Sequence, residues 1–403
     1  MLKIKLKGML ILLHTSSLVC LIQSAAEDPV MSDVLLSTPE LIRKYGYPVE
    51  EHTVQTEDGY VLTHFRIPHG RTNPTKNGRR SVLLQHSLLS ASDIWILMGR
   101  EKSLGFILAD AGFDVWVTNI RGNRYSRKHV TLPTNTAEFW DFSWHEMAVY
   151  DMPATIDHIL ATTGEKRLHY IGYSLGTTVF FAMTSLRPEY NDKMRLGISL
   201  APAVFLSNVR HPLIRAILPI MSLIGSVLMS LRMWEVLPYT NSLASLINNL
   251  CREGAVTHQL CVFIYYIAYG DDSQQLNKTM LPVYISHLLA GTSIKTLLHY
   301  AQIMKSGRFQ QYDYGLIQNL VKYGQHFPPD YEVKKITTPA SLHYGEGDLI
   351  VNPKDAKHLA EQLSHLVEIT AVRAPKFNHI DFVFANQGKP LLYDHLLNLA
   401  EEY

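Results

Sequence analysis

No stretch constrains what this chain can fold into more than Gly172-Tyr-Ser-Leu-Gly176. A short run of strand-forming residues, Leu168 to Ile171, leads into it, and an apolar segment of helical character, Thr177 to Ser185, follows. A serine with glycine two positions away on either side, set between strand and helix, predicts a sharp turn that exposes its hydroxyl. The glycines let strand and helix approach closely there. The five-residue pattern is common by chance, so its meaning rests on the elements around it.

Those elements have a rhythm. Ser81 to Gln85, Phe113 to Thr118, Leu168 to Ile171 and Leu196 to Ala201 are short apolar runs suited to buried strands. They are separated by stretches of helix length, among them Leu104 to Ala111 and Phe142 to Ala161. This alternation predicts an α/β fold, a mostly parallel sheet flanked by helices, with ligands bound beyond the carboxyl ends of the strands. Ahead of it, Thr38 to Tyr45 suits a short helix with Thr38 as cap and Pro39 in the first turn. His52 to Thr56 and Tyr60 to Phe65 suit a hairpin around Glu57-Asp58-Gly59.

After Pro202 the rhythm breaks. Residues 204–335 hold apolar helix-like pieces divided by prolines, too long for a loop in a compact domain, so we read them as an inserted helical cap. Within it, Leu213 to Trp234 is the candidate lid. A membrane span is the competing reading, disfavoured by Pro219 and by an uncharged length of only about 16 residues between Arg215 and Arg232. The sheet signal returns at Thr338 to Tyr344 and again at Val367 to Val372, with a helix over Lys354 to Ser364 and a closing helix over Pro390 to Glu401. The organisation is thus a leader (1–26), a first core part (27–203), the insertion (204–335) and a second core part (336–403).

Composition narrows the function class. With 47% hydrophobic and 18% charged residues in 403, the chain can bury a large core and is not disordered. A formal net charge of +1 offers no dense basic surface, which excludes nucleic-acid binding as the expected role. Lys3, Lys5 and Lys7 precede an apolar stretch from Met9 to Ile22, and Ser24-Ala25-Ala26 supplies small residues for cleavage, so the leader reads as a secretory signal. Its removal takes Cys20 and leaves Cys251 and Cys261, either one disulfide or two buried thiols. Asn277-Lys278-Thr279 is a glycosylation sequon free of proline.

Chemistry follows from position. A serine hydroxyl needs a histidine to take its proton and a carboxylate to orient that histidine. With the serine between strand and helix, the acid belongs on a turn after a later strand and the histidine in the loop after the last, giving the order Ser, Asp, His. Asp348, in Gly345-Glu-Gly-Asp348, and His379, in Pro375-Lys-Phe-Asn-His379, take those places. Asp355 and Asp381 compete for the acid, whereas His358, His365 and His395 lie on helix-like segments and read as surface or packing residues. The oxyanion donors are expected to be the backbone N–H groups of Leu175 and of Leu88. Nothing in this scheme calls for a metal or cofactor.

Seven stretches together then carry a family resemblance. They are Leu84-Gln-His-Ser-Leu-Leu-Ser-Ala-Ser92, Asn119-Ile-Arg-Gly-Asn123, Phe139-Trp-Asp-Phe-Ser143, Gly172 to Gly176, Leu276-Asn-Lys-Thr-Met-Leu-Pro-Val-Tyr284, His287-Leu-Leu-Ala-Gly-Thr-Ser293 and Asn378-His-Ile-Asp-Phe382. From about Thr38 to its end the chain resembles the acid lipases, the family of gastric lipase, lysosomal acid lipase and their insect relatives. The resemblance implies an α/β-hydrolase fold with a mobile lid and hydrolysis of triacylglycerol or steryl esters at a lipid–water interface. It implies a secreted or lysosomal enzyme; we expect a monomer. It carries nucleophile, acid and base onto Ser174, Asp348 and His379, the oxyanion donors onto Leu88 and Leu175, and a lid-region disulfide onto Cys251 and Cys261. Two departures stand out: Ser87 where the family usually has glycine, and Leu175 where it usually has glutamine. Were the backbone at 87 to need positive φ, serine would be strained there and the oxyanion site displaced. Two alternatives stay open at this point: a non-lipid carboxylesterase or thioesterase on the same fold, and a weakly active or non-catalytic lipid-binding relative.

Overall fold

The computed structural model describes residues 33–71, 78–270 and 274–403. The expected leader and Cys20 lie outside them. The strands are β1 (Glu50–Gln55), β2 (Tyr60–Ile67), β3 (Ser81–Gln85), β4 (Asp114–Thr118), β5 (Lys128–His129), β6 (Leu168–Tyr173), β7 (Met194–Leu200), β8 (Glu235–Val236), β9 (Thr292–Ser293), β10 (Ala340–Tyr344) and β11 (Leu366–Ala371). Nine form the main sheet, in the order β1-β2-β4-β3-β6-β7-β10-β11 with β5 paired to β2.

The pairing runs parallel from β4 through β11, while β1 and β2 add an antiparallel hairpin. Every residue of β3, β4, β6 and β10 is buried, because helices cover both faces. That is why Val82-Leu-Leu84 and Val115-Trp-Val117 read as continuous apolar runs rather than alternating ones. β1, at the sheet edge, instead exposes Glu50 and Glu51, charges that discourage pairing with another chain.

Local signals account for most element ends, with exceptions. The helix Thr38–Lys44 is capped by Ser37, not by Thr38: the Ser37 N–H donates to Glu40 Oε2 (2.8 Å), closing a capping box, while the Thr38 hydroxyl turns inward to Ser92 Oγ at 2.8 Å. The single helix expected over Phe142 to Ala161 is three pieces, Trp144–Glu146, a π-helical turn Met147–Asp151 and Met152–Thr163. The π turn delivers Asp151, whose carboxylate accepts from the Arg121 backbone N–H (2.9 Å) and from Arg121 Nε (2.8 Å). Burial pushes Arg121 down, but Asp151 and Asp58 overcome it and hold the guanidinium charged.

Between β7 and β10 the chain is mainly helical: Pro212–Ile217, Met221–Ser230, Asn241–Cys251, His258–Tyr269, Leu281–His287, Ile294–Ser306 and Leu316–Tyr323. Among the described residues there, strand pairing is limited to the short β8–β9 ladder, which two-residue strands make invisible to periodicity, and a single bridge between Gln310 and Asp330. Cys251 and Cys261 are disulfide-bonded, joining the end of one helix to the first turns of the next. The run Pro212–Ser230 is longer than its uncharged core suggests: through a 3-10 turn at Leu218–Ile220 it makes 19 helical residues. By length and composition alone it is the one helix among the described residues able to cross a membrane.

Candidate active site

β6 ends at Tyr173, and the helix Leu175–Leu186 begins at once, leaving Ser174 at the corner with φ 52° and ψ −110°. This left-handed backbone is costly for a side chain with a Cβ and persists because the surroundings over-determine it. The Ser174 N–H donates to Leu200 O on β7 (2.9 Å), and Thr177 returns its N–H (2.8 Å) and hydroxyl (2.6 Å) to Ser174 O. Glycine at 176 is a matter of space: a Cβ there would lie 2.4 Å from the Gln85 carbonyl oxygen on β3.

Asp348 and His379 reach the corner from the loops after β10 and β11, at the same carboxyl edge of the sheet. The turn after β10 carries Asp348, whose Oδ1 accepts the N–H groups of Ile350 (2.8 Å) and Val351 (2.9 Å). Its Oδ2 is left for His379 Nδ1, 2.7 Å away. His379 Nε2 lies 3.0 Å from Ser174 Oγ, so the imidazole bridges hydroxyl and carboxylate through its two nitrogens. The two loops lock together: the Gly347 N–H donates to Phe377 O (3.0 Å), and a Cβ at 347 would meet Lys376 O at 2.5 Å. Tyr173 OH, beside the serine, donates to His379 O (2.8 Å) and ties the histidine loop to the corner.

The rival assignments fall elsewhere. Asp355 accepts from the backbone N–H (2.9 Å) and Nδ2 (2.7 Å) of Asn208, and Asp381 accepts the Asn378 N–H (2.8 Å). His358 and His395 are exposed. Asn277 is partly exposed, immediately ahead of the 3-10 turn Lys278–Met280.

The loop after β3 brings Leu88 beside the serine; it lines the same cavity as Ser174 and His379. Strain in this loop is not where the sequence comparison suggested. Ser87 is not among the described residues with positive φ, so the serine replaces glycine there without conformational cost; Leu89, two residues on, takes the left-handed backbone at φ 60°. The N–H groups of Leu88 and Leu175 have no acceptor among the described backbone hydrogen bonds.

Sequence reasoning left the support of this loop unassigned. His86 donates from Nδ1 to Ser87 O (2.8 Å), and its Nε2 faces two donors, Ile120 N–H (3.3 Å) and Asn123 Nδ2 (3.1 Å). Such a ring is neutral, and burial pushes it down to about 4. Asn119 Oδ1 accepts from the Ser92 N–H (2.9 Å) and Asn123 Nδ2 (2.9 Å). Asp93, in the same loop, is wholly buried 2.9 Å from His287 Nδ1. Burial pushes its carboxyl up, but the charges of His287 and Arg124 outweigh that and hold it below its usual range. Asn119-Ile-Arg-Gly-Asn123 was legible as part of the resemblance but without a role.

Above Ser174 opens a cavity of about 370 Å³ walled by Leu88, Leu206, Ile214, Met221, Leu288 and Met304 among others. Its size is ordinary for a ligand site, and its lining is almost wholly apolar apart from the serine and histidine. The long helical run Pro212–Ser230 roofs it with Leu213, Ile214, Ile217, Leu218 and Met221. Outward it exposes Leu223 (67%) and Val227 (47%).

Comparison with known proteins follows the same lines. A family model described as a partial alpha/beta-hydrolase lipase region matches residues 38–99, and one for the alpha/beta hydrolase fold matches residues 80–385. Lipase 1 of Drosophila melanogaster is 41% identical over 372 residues, 92% of this chain and 81% of the relative. Gastric triacylglycerol lipase of Rattus norvegicus is 37% identical over 91% of this chain and 92% of its own. Lysosomal acid lipase/cholesteryl ester hydrolase of Macaca fascicularis is 38% identical over 91% of each. The chain therefore belongs to the lipase family of α/β-hydrolases.

Proposed function

We propose that this protein hydrolyses carboxylic esters of long-chain lipids, triacylglycerols or steryl esters, through Ser174, His379 and Asp348. The observation that carries the reading is the bridge of His379 between Asp348 (2.7 Å) and Ser174 (3.0 Å) at the base of an apolar cavity. His379 takes the hydroxyl proton on Nε2 as the serine oxygen attacks the ester carbonyl. Asp348 fixes the ring so that Nδ1 carries hydrogen, and stabilises the imidazolium that forms. The N–H groups of Leu88 and Leu175 receive the oxyanion; one such donor is worth about 3 kcal/mol in the transition state. The alcohol leaves with the proton from His379, and water repeats the sequence to release the fatty acid.

The cavity explains the choice of lipid over a small ester. Acyl chains gain by leaving water for its leucine and methionine walls. We read Pro212–Ser230 as a lid within a cap over about 204–335: it lines the cavity through Ile214, Leu218 and Met221 and leaves Leu213, Ile217, Leu223 and Val227 exposed to meet a lipid surface. The disulfide, the leader-like first 26 residues and the names of the gastric and lysosomal relatives support an exported or lysosomal enzyme, and the sequon at Asn277 supports a glycan there. Ser174→Ala tests the reading. The variant should retain the melting temperature and lose hydrolysis of emulsified triolein and cholesteryl oleate by at least about 10⁴-fold; residual turnover near that of the unmodified protein would discard it.

A further inference from the structure

A second group of chemically capable side chains gathers at the opposite sheet edge. Ser341 and His343, two apart on β10, point to one side of the strand, and Glu368 on β11 stands beside Ser341 in register. The helix Asp394–Glu402 lays His395 across them. None of the four lines the cavity above Ser174.

We propose that His343, Glu368 and His395 form a zinc-binding site that clamps the C-terminal helix to the edge of the sheet. Each offers one ligand atom, and the three atoms lie within 4.8 Å of one another. Glu368 Oε1 is 2.7 Å from His395 Nε2 and 3.7 Å from His343 Nε2. Ser341 Oγ is 2.8 Å from His343 Nε2 and 3.2 Å from Glu368 Oε1. A tetrahedral ion with bonds of about 2.0–2.1 Å needs ligand atoms about 3.3 Å apart. Glu368 Oε1, at 2.7 Å from His395 Nε2 and 3.7 Å from His343 Nε2, must therefore move away from the first and toward the second by about half an ångström, and the two imidazoles must close from a separation of at most 4.8 Å.

Chemistry selects the ion. Two imidazoles and one carboxylate are a donor set that zinc accepts, and Ser341 sits where its hydroxyl can hold a water in the fourth position. His343 is fully buried with Nδ1 unpartnered, so its one hydrogen bond, to Ser341, leaves it under-satisfied for a core imidazole. A metal bond at Nε2 would replace the Ser341 contact, with the ring hydrogen on Nδ1 and the serine hydroxyl released toward the ion's water. Glu368 (26% exposed) and His395 (44% exposed) give the ion a path from solvent. On binding, each imidazole offers the Nε2 lone pair with its hydrogen on Nδ1, Glu368 offers its carboxylate, and a proton is released to solvent only from a histidine that was charged; no oxidation state changes.

Titration of the EDTA-treated protein with Zn²⁺, followed by calorimetry, should show one tight site and raise the melting temperature by about 5 °C at hundredfold excess over Kd. Co²⁺ in its place should give the intense visible absorption of a tetrahedral centre. His395→Ala, at an exposed position, and Glu368→Gln should each weaken binding at least tenfold, whereas Ser174→Ala should leave it unchanged. No saturable site at zinc concentrations up to about 100 µM, far above the affinities of structural zinc sites, or binding that survives in His395→Ala, would overturn the proposal; ester hydrolysis by His395→Ala separates that outcome from failure of the lipase reading.

Discussion

The sheet side of the cavity and its helical roof are built on opposite principles. Around Ser174 the polar groups are paired: the carboxylate of Asp348 accepts three hydrogen bonds, the imidazole of His379 uses both nitrogens, and His86 and Asn119 brace the loop that carries Leu88. The roof is held mostly by apolar contact and leaves large side chains without cover, among them Leu223 (67% exposed), Ile220 (51%) and Val227 (47%). The first arrangement fixes reacting atoms, since a proton transfer tolerates little misplacement. The second leaves apolar area that a lipid surface can cover.

That contrast can be broken most severely at Asp348. Asp348→Asn should cut kcat for triolein by about 10⁴-fold with the fold retained, because the amide favours the wrong tautomer of His379; steady-state kinetics beside a thermal melt would reveal any smaller loss. A matched pair of glycines sharpens it next. Gly176→Ala forces a Cβ against the backbone of β3 and should cost about 3 kcal/mol in denaturant unfolding. Gly225→Ala in the roof meets only the flexible end of Leu298, and the better helix former offsets the contact, so the change should stay within about 1 kcal/mol. Equal costs would mean that roof and sheet are packed alike.

A pH experiment addresses the bracing of the loop. His86 is held neutral by burial at about 4, below the 6.5 expected of an unfolded chain, so the folded state binds fewer protons between those values. Its contribution is fully present above pH 6.5 and is lost as pH falls toward 4. Because buried carboxyls such as Asp151 are pushed up and act with the opposite sign, the comparison should be with His86→Gln. The stability advantage of the unmodified protein over that variant should shrink by up to about 1.4 kcal/mol per pH unit across this window; a constant difference would show that His86 does not titrate on unfolding. The smallest effect is expected at the roof surface. Leu223→Ser combined with Val227→Ser should shift stability by no more than about 0.5 kcal/mol. Hydrolysis of emulsified tributyrin should fall several-fold while that of dissolved p-nitrophenyl acetate holds, and a parallel fall in both would remove the lid from the interfacial step.

Much of this architecture is legible in the amino-acid sequence, for reasons tied to particular residues. Buried parallel strands leave continuous apolar runs, so Ser81 to Gln85 and the strand ahead of Gly172 stand out. The order of serine, aspartate and histidine along the chain follows from the topology of such a sheet. Edges of elements were less legible: Ser37 and Thr38 are equally good caps on paper, and only the inward pull of Ser92 on Thr38 separates them. The π turn before Met152 has no local signature because it answers to Arg121, thirty residues upstream.

What the amino-acid sequence determined by itself was the class of fold, the serine corner and the family, since these rest on local conformational preference and on patterns that span the chain. The tertiary structure alone decided the rest. It moved the strained backbone from Ser87 to Leu89, made His86 and Asn119 supports of the loop that carries Leu88, and brought His343, Glu368 and His395 together at one sheet edge. Each of these depends on side chains far apart in sequence meeting at distances of a few ångströms, and no periodicity along the chain encodes such a meeting.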